Sequence, residues 1–175
     1  MCRLPGSPRQ VAFAPEDKQH HQRRLNRVNA QIKKTEAEIA QLEQLWKATS
    51  KSASDRPQLA RRIAETYVEL ENAAFRDKTE AEIKKDGEGA ARAAKTMDGA
   101  RQNAISKYKI IVNEYKDYPN LDEVLYYLAY EYEQAKDLDN ARKVYFQLIN
   151  DTPNSKYIPN AYLAFGELFF VEAQG

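Results

Sequence analysis

The chain has 175 residues, of which 30% are charged and 42% hydrophobic, and 27 lysines and arginines against 26 acidic residues leave a formal net charge of +1. A balance this even creates no long-range field that would gather nucleic acid or an acidic membrane surface, so no nucleic-acid partner is expected. Cys2 is the only cysteine, which excludes an intrachain disulfide and a cysteine-based zinc site.

Helical spacing dominates the pattern of apolar residues, and the predicted fold class is all-α. Only six glycines occur, and no alternating run of apolar and polar residues indicates a strand. No apolar run approaches the roughly 18 residues that a membrane span needs, so we expect no direct membrane span. No signal-peptide core follows Met1, and if the protein is exported its signal is missing from this chain.

Residues 1–15 hold three prolines and a glycine without periodicity, and we expect this lead to be disordered. Residues 16–50 then form a long polar helix with a narrow apolar seam. Two partners are open for the seam: another copy of the protein, giving a homo-oligomer through residues 16–50, or the next helix folding back. The seam members step by three and four, as in the a/d pattern of a coiled coil over about three heptads, and they are Leu25, Val28, Ile32, Thr35, Ile39, Leu42 and Trp46.

The second helix is predicted to start near Pro57, a residue that suits a first helical turn, with Asp55 as its cap. Its apolar side carries Ile63 and Ala64, followed by Tyr67 about one turn later.

A long hairpin is expected over residues 57–117. Glu/Lys-rich and alanine-rich segments extend both of its helices, so residues 72–99 form an arm that exceeds a simple two-helix unit by about 28 residues. The tip is placed at Asp86-Gly87, because 86–89 is the only strong helix breaker in the arm.

A shorter hairpin follows in residues 121–153. Apolar and aromatic residues recur at helical spacing on both sides of the polar break 136–139, which predicts two amphipathic helices joined by a tight turn. Pro153 ends the second helix, because proline cannot continue the hydrogen-bond ladder. Two helices alone cannot bury their apolar faces, so this hairpin needs neighbours.

The chain is similar to itself at a shift of 37 residues, which places Tyr108 on Tyr145 and Leu128 on Phe165. Periodic self-similarity of two-helix units is typical of an α-solenoid. Residues 158–175 therefore form an incomplete repeat that lacks its second helix. This last helix is too apolar for a terminal cap, so we expect either that the chain is a fragment of a longer protein or that this surface binds something.

The two-helix unit resembles the tetratricopeptide (TPR) repeat. Leu125 stands where the family has tryptophan, and Lys136 where it has a turn glycine. The resemblance implies that residues 56–175 are a TPR α-solenoid with one elongated helical hairpin, preceded by the coiled-coil-like helix. The remaining family positions, a large–small pair, an aromatic, an alanine, a second aromatic and a proline, are matched at the family spacing by Leu128, Ala129, Tyr132, Ala141, Tyr145 and Pro153.

The resemblance also implies a partner-binding groove, because the TPR family lines its groove with one face of the first helix. Here that face carries Glu123, Tyr126, Tyr130, Glu133 and Gln134. Tyr126 and Tyr130 are one turn apart, and tyrosine combines apolar area with a hydroxyl that tolerates water. Glu123 and Glu133 are expected to favour a partner with basic or amide groups. The alternative is that the two tyrosine rings pack against the adjacent repeat.

No catalytic constellation is visible. Both histidines, His20 and His21, lie near the N-terminus beside no plausible nucleophile, and no phosphate-binding loop or zinc-protease motif occurs. We therefore expect a protein that is not an enzyme and has no cofactor or metal site. Two functions fit: a scaffold that binds other proteins or peptides in the TPR groove, and an oligomerising structural rod that uses the coiled coil and the helical arm.

Residues 118–129 and 154–167 extend the resemblance to bacterial cell-envelope TPR proteins. These include the TPR lipoproteins of myxobacterial gliding and the coiled-coil-plus-TPR cell-division coordinator linked to the Tol-Pal system. The resemblance implies a scaffold in an envelope complex, periplasmic or attached to the outer membrane. The missing signal leaves the cytoplasm open as well.

Overall fold

The structure is a computed structural model that describes residues 15–173, with side chains for residues 18–170. Nearly all of the expected disordered lead, including Cys2, lies outside the described residues. Residues 15–173 contain no strand, so the predicted all-α class is confirmed. The helices are α1 Pro15–Ala48, α2 Arg56–Ile83, α3 Gly87–Glu114, α4 Leu121–Gln134, α5 Leu138–Asp151 and α6 Ile158–Ala173.

Each helix packs mainly on its neighbours in the chain, and α2 and α3 make the most extensive contact. These two helices have 28 residues each, or about 42 Å at 1.5 Å per residue. Alanine combines the highest helix propensity with the smallest packing side chain, so it suits a long hairpin of closely packed helices. The buried alanines are Ala60, Ala64, Ala73, Ala74 and Ala81 on α2 and Ala93, Ala100 and Ala104 on α3.

Both hairpins turn with the same backbone arrangement. Lys85 and Lys136 adopt left-handed φ angles of 59° and 61°. The next residues, Asp86 and Asp137, each donate their amide to the carbonyl five residues earlier at 2.9 Å, which is a Schellman ending. Their carboxylates then accept from the amide three residues later, at 2.9 and 3.2 Å, and so cap the following helix. A Lys-Asp pair therefore takes the place of a turn glycine.

Two local predictions are corrected by the structure. The chain reverses at 84–86 instead of at Asp86-Gly87, and Gly87 is already the first residue of α3. Gly89 is a buried helical residue whose missing Cβ leaves room for the Asp86 carboxylate that caps it. Asp55 makes no side-chain cap hydrogen bond. The neighbouring Arg56 instead donates to carbonyls at the end of α1, including that of Trp46 at 3.0 Å.

The loops between successive layers also share one hydrogen-bond pattern. After α3, the amide of Tyr118 donates to the carbonyl of Tyr115 at 3.0 Å, and that of Leu121 to Tyr118 at 3.1 Å. The same pair of bonds recurs between α5 and α6, at Thr152, Ser155 and Ile158, and between α1 and α2, at Ser50, Ala53 and Arg56. The connection from α1 to α2 therefore has the same form as the connection from α3 to α4, and α1 is the first helix of the array.

The seam of α1 lies against the long hairpin. Ile39 packs with Leu70 of α2 and Ala100 of α3, with Ile32 beside them. Of the two partners left open for the seam, the hairpin of the same chain is therefore the one in contact with it. Thr35, Ile39 and Leu42 are buried, and the half-buried members are Leu25, Val28, Ile32 and Trp46.

Charged side chains flank this contact along its length. Lys107 lies 3.1 Å from Glu43, and its ammonium also lies 4.5 Å from the centre of the Trp46 ring. Near the far end, Arg24 is 3.1 Å from Glu80. Among residues 15–173, no helix combines the length and the apolar composition that a bilayer crossing requires.

Candidate interaction surface on α4

Glu123, in the first turn of α4, is held from three sides. Arg61 of α2 places Nη2 2.8 Å from Oε2, and the hydroxyls of Tyr157 and Tyr127 donate to Oε1 at 3.0 and 3.3 Å. Desolvation by burial opposes ionisation, but these hydrogen bonds and the Arg61 charge outweigh it, so the pKa of Glu123 is lowered. Its carboxylate is thus already paired within the chain, which argues against the expectation that Glu123 attracts a basic partner.

Arg61 is itself fixed as a permanent cation. It lies 2.8 Å from Glu65 on its own helix as well as from Glu123. Burial alone would lower the pKa of Arg61, but hydrogen bonds with Glu65, Glu123 and Tyr118 raise it above its ordinary value. This ion pair joins α2 to α4 next to the predicted groove.

Tyrosine rings form a connected cluster beside this ion pair. Tyr126 stacks on Tyr157 with centroids 4.9 Å apart and an interplanar angle of 20°. It also lies 6.2 Å from Tyr145 of α5 and 6.0 Å from Tyr127, and Tyr108 of α3 joins through Tyr127 at 6.4 Å. Such ring pairs stabilise by about 0.5–1.5 kcal/mol beyond their buried area. Tyr126 is therefore a packing residue, as the alternative interpretation of the groove expected.

Tyr130 lies one turn further along α4, and its environment is different. It is 46% exposed. Partial burial, together with the charges of Glu131, Glu71 and Glu133, raises the pKa of its hydroxyl. Tyr130 thus offers an accessible aromatic ring, whereas Tyr126 is already stacked.

Glu133 and Gln134 lie beside this ring in the last turn of α4, and both are half-buried. The hydroxyl of Tyr145 donates to Glu133 Oε2 at 3.1 Å. We call Tyr130, Glu133 and Gln134 the Tyr130 face. The five residues predicted for the groove thus divide into this face and an internal pair, Glu123 and Tyr126.

Three residues of this region were missed by the sequence analysis: Arg61, Tyr127 and Tyr157. A signal for Arg61 was present, because matching Ile63 to Leu128 places Arg61 on the same helix face as Tyr126. Tyr157 lies in the loop before α6, where no periodicity indicates which way a side chain points.

Two buried carboxyls lie next to Tyr130. Glu131 of α4 is 3% exposed and Glu71 of α2 is 6% exposed. Arg101 of α3 donates to Glu71 Oε1 through Nε at 2.8 Å, with its Nη2 2.7 Å from the same oxygen. When both carboxyls are ionised, the Oε2 atom of each has no hydrogen-bond partner. We call Glu131 and Glu71 the buried acid pair.

The buried acid pair keeps one of its members protonated. Desolvation by burial, followed by the neighbouring Glu71 carboxyl, raises the pKa of Glu131 to about 8, although the charge of Arg101 opposes the shift. One proton shared between the two Oε2 atoms would satisfy both. Both glutamates are buried because α2, α3 and α4 converge on them.

Within the described part of the chain, no group of three or more His, Cys, Asp or Glu side chains is arranged to hold a metal ion. Comparison with known proteins gives no match: no family profile, no curated protein and no solved structure is similar to this chain.

Proposed function

We propose that this protein is a non-enzymatic scaffold that binds a segment of another protein on the Tyr130 face of α4. The observation that carries the proposal is the contrast between Tyr126 and Tyr130. Both lie on the same side of α4, but Tyr126 has ring partners from α5 and the loop before α6, whereas Tyr130 is 46% exposed. Tyrosine is enriched at the few positions that dominate binding energy.

A rigid base supports the proposed site. The Arg61–Glu123 ion pair joins α4 to α2, and the Tyr126 ring, stacked on Tyr157, joins α4 to the loop before α6. A surface that is already ordered loses little side-chain entropy when a partner binds. Tyr130 is thus an accessible ring on a helix held from both sides.

The chemistry of the Tyr130 face defines the kind of partner. The ring of Tyr130 suits an apolar or aromatic side chain. Glu133 and Gln134 beside it suit amide or basic groups. Because Glu123 is paired with Arg61, we do not expect the surface to attract a highly basic partner strongly.

The resemblance to TPR repeats supports the same assignment, since that family lines its groove with this face of the first helix. The recurrence of one loop pattern at a spacing of 37 residues is compatible with stacked two-helix units. We also propose, from the resemblance of residues 118–129 and 154–167 alone, that the scaffold belongs to a bacterial envelope complex, in the periplasm or at the outer membrane.

A randomised peptide library displayed on phage and selected on the immobilised protein tests the proposal. The selected peptides should bind Tyr130→Ala at least about 30-fold more weakly, a loss of about 2 kcal/mol, and Tyr130→Phe should retain most of the affinity. The melting midpoint of Tyr130→Ala should stay unchanged.

Ile83→Ala is the control, because Ile83 is 75% exposed at the end of α2, about 18 Å along the helix from Glu71 at 1.5 Å per residue. Selected peptides that bind the Tyr130→Ala protein as tightly as the wild type would contradict the proposal, as would a library that yields no binders at all.

A further inference from the structure

The helix α6 presents an apolar surface that is not covered by the rest of the described chain. Its inner side packs on α5, and Ala161 and Leu168 are buried there. The side turned away from Ala161 and Leu168 we call the α6 face, which consists of Gly166 and four large side chains around it. Phe169 lies at the edge of this face, where its ring packs edge-on against that of Phe165 at 4.9 Å and lies 5.7 Å from the guanidinium of Arg142 on α5. Their exposed fractions are 59% for Tyr162, 66% for Leu163, 50% for Phe169 and 65% for Phe170. Four large apolar side chains exposed on one helix mark a contact surface.

This face is symmetric about its centre. Tyr162 and Leu163 lie four and three residues before Gly166, and Phe169 and Phe170 lie three and four residues after it. At 3.6 residues per turn, all four point within roughly 60° of the Gly166 direction. A reversed copy of the helix therefore presents apolar side chains at the same positions.

We propose that the protein forms a twofold dimer through the α6 face, with the two α6 helices antiparallel and crossing at Gly166. A twofold contact brings one surface patch against its own copy. In this arrangement Tyr162 lies opposite Phe169 of the second copy, and Leu163 lies opposite Phe170. Every large side chain of the face then has an apolar counterpart.

Gly166 supports this crossing point. A Cβ added at this residue would meet nothing within 4 Å in its own chain, so the packing of the protomer does not require glycine. A glycine inside a helix costs about 0.5–1 kcal/mol relative to alanine. Two helices that cross at a residue without a side chain can approach more closely than the usual separation of roughly 8–10 Å.

The internal repeat contains an equivalent surface on α4, and there a neighbouring helix covers it. The shift of 37 residues places Leu125 of α4 on Tyr162 and Ala129 on Gly166. Leu125 and Ala129 are fully buried, because α4 lies between α3 and its antiparallel hairpin partner α5. Within the described residues, α6 has such a neighbour on one side only. The repeat thus indicates that a surface of this kind is normally covered by a neighbouring helix, and the proposed dimer covers it with an antiparallel α6 from a second copy.

The exposed area is sufficient for a modest dimer. A half-exposed aromatic residue presents roughly 100 Å², so the α6 faces of two copies together offer about 800 Å². The exposed ring of Phe146 on α5 extends the surface through Phe165, whose ring centre is 6.4 Å away. The total of about 1,000 Å² is at the lower limit of a specific interface, so we expect a weak, reversible dimer.

This dimer is separate from the surfaces already described. The α6 face shares no residue with the Tyr130 face, so self-association and partner binding can be measured independently. It does not use the α1 seam either, which is in contact with α2 and α3 through Ile39.

Sedimentation equilibrium of the whole chain, from about 1 to about 200 μM, tests the proposal. The wild type should pass from monomer to dimer across this range. Leu163→Glu/Phe170→Glu should remain monomeric, because four carboxylates would meet at the centre of the interface. Phe75→Glu, a charge at a comparably exposed phenylalanine of the arm, should dimerise like the wild type.

Gly166→Leu is a second test of the dimer, and it can be read even if the double variant folds poorly. It should melt at the same temperature as the wild-type protomer or higher, because leucine is a better helix former, and its dimer should dissociate at least 10-fold more readily. A wild type that is monomeric throughout, or a Gly166→Leu protein that dimerises as tightly as the wild type, would overturn the proposal. Peptides selected on the Tyr130 face should bind the wild type and both α6 variants equally.

Discussion

Replacing Glu131 by glutamine tests whether the buried acid pair makes the fold sensitive to alkaline pH. Glu131 and Glu71 each have an Oε2 atom without a partner, and Arg101 is engaged with the other oxygen of Glu71. Glutamine has nearly the shape of protonated glutamate and carries amide hydrogens at every pH. Glu131→Gln therefore keeps a donor for Glu71 under conditions in which wild-type Glu131 loses its proton.

The pKa of Glu131 sets the direction and size of the effect. In the folded chain it is about 8, against an ordinary value of 4.5. Because the folded state holds this proton more tightly, the stability it contributes is complete below pH 4.5 and is lost as the pH rises towards 8. The free energy of unfolding should fall by up to ~1.4 kcal/mol per pH unit within that window. The total, on the order of 5 kcal/mol for a pKa raised from 4.5 to about 8, is large against the roughly 5–15 kcal/mol typical of a domain.

Other groups near the pair titrate outside this window. Tyr108 and Tyr130 have pKa values raised from 10. The lowered pKa of Glu123 gives a contribution of opposite sign, which is lost only as the pH falls below its ordinary range.

Urea unfolding followed by far-ultraviolet circular dichroism at pH 5, 6, 7 and 8 measures the effect. The wild type should lose stability steadily across the series, whereas Glu131→Gln should show a much flatter profile and become the more stable protein near pH 8. Glu69→Gln, at an exposed position of α2, should follow the wild type. Parallel profiles for the wild type and Glu131→Gln would refute the assignment of a shared proton to this pair.

The remaining predictions concern the turns and the packing, and all are measured as free energies of unfolding in urea. Lys136→Gly should stabilise the protein by about 0.5–1 kcal/mol, because glycine adopts the φ of 61° at Lys136 without a Cβ penalty; a loss of stability would contradict this. Ala141→Leu should cost about 1–3 kcal/mol by overpacking a fully buried site, and an unchanged value would mean that the repeat register is wrong. Ile39→Asp should cost about 3 kcal/mol or more, whereas Leu45→Asp, at a residue of the same helix that is 53% exposed, should change stability by less than about 0.5 kcal/mol; equal effects would refute the packing of the seam on the hairpin. Tyr126→Ala should lower the free energy of unfolding by about 2 kcal/mol because the Tyr126 ring stacks on that of Tyr157. An unchanged value would mean that the Tyr126 ring does not contribute to packing.

The sequence by itself was sufficient for the helices, because the signals that make and end a helix are local. The predicted helix over residues 16–50 is α1, Pro15–Ala48, and the break at residues 136–139 lies at the turn between α4 and α5. Helical periodicity, the proline after α5 and the polar turn residues act within a few positions of where they stand. The turn of the long hairpin, residues 84–86, contains the predicted Asp86 but not Gly87, since glycine was weighed above the aspartate that caps α3.

Which helix faces are covered was decided only by the tertiary structure. The pattern showed one seam on α1 but not its neighbour, which is the long hairpin. Spacing alone made Tyr126 and Tyr130 equivalent, whereas Tyr126 is stacked by a ring from the loop before α6 and Tyr130 is not. Likewise, nothing local distinguishes Glu71 and Glu131 from the exposed glutamates around them. Their burial arises where α2, α3 and α4 meet, and the protonation of Glu131 follows from that convergence, because desolvation and a neighbouring carboxyl both depend on residues distant in the chain.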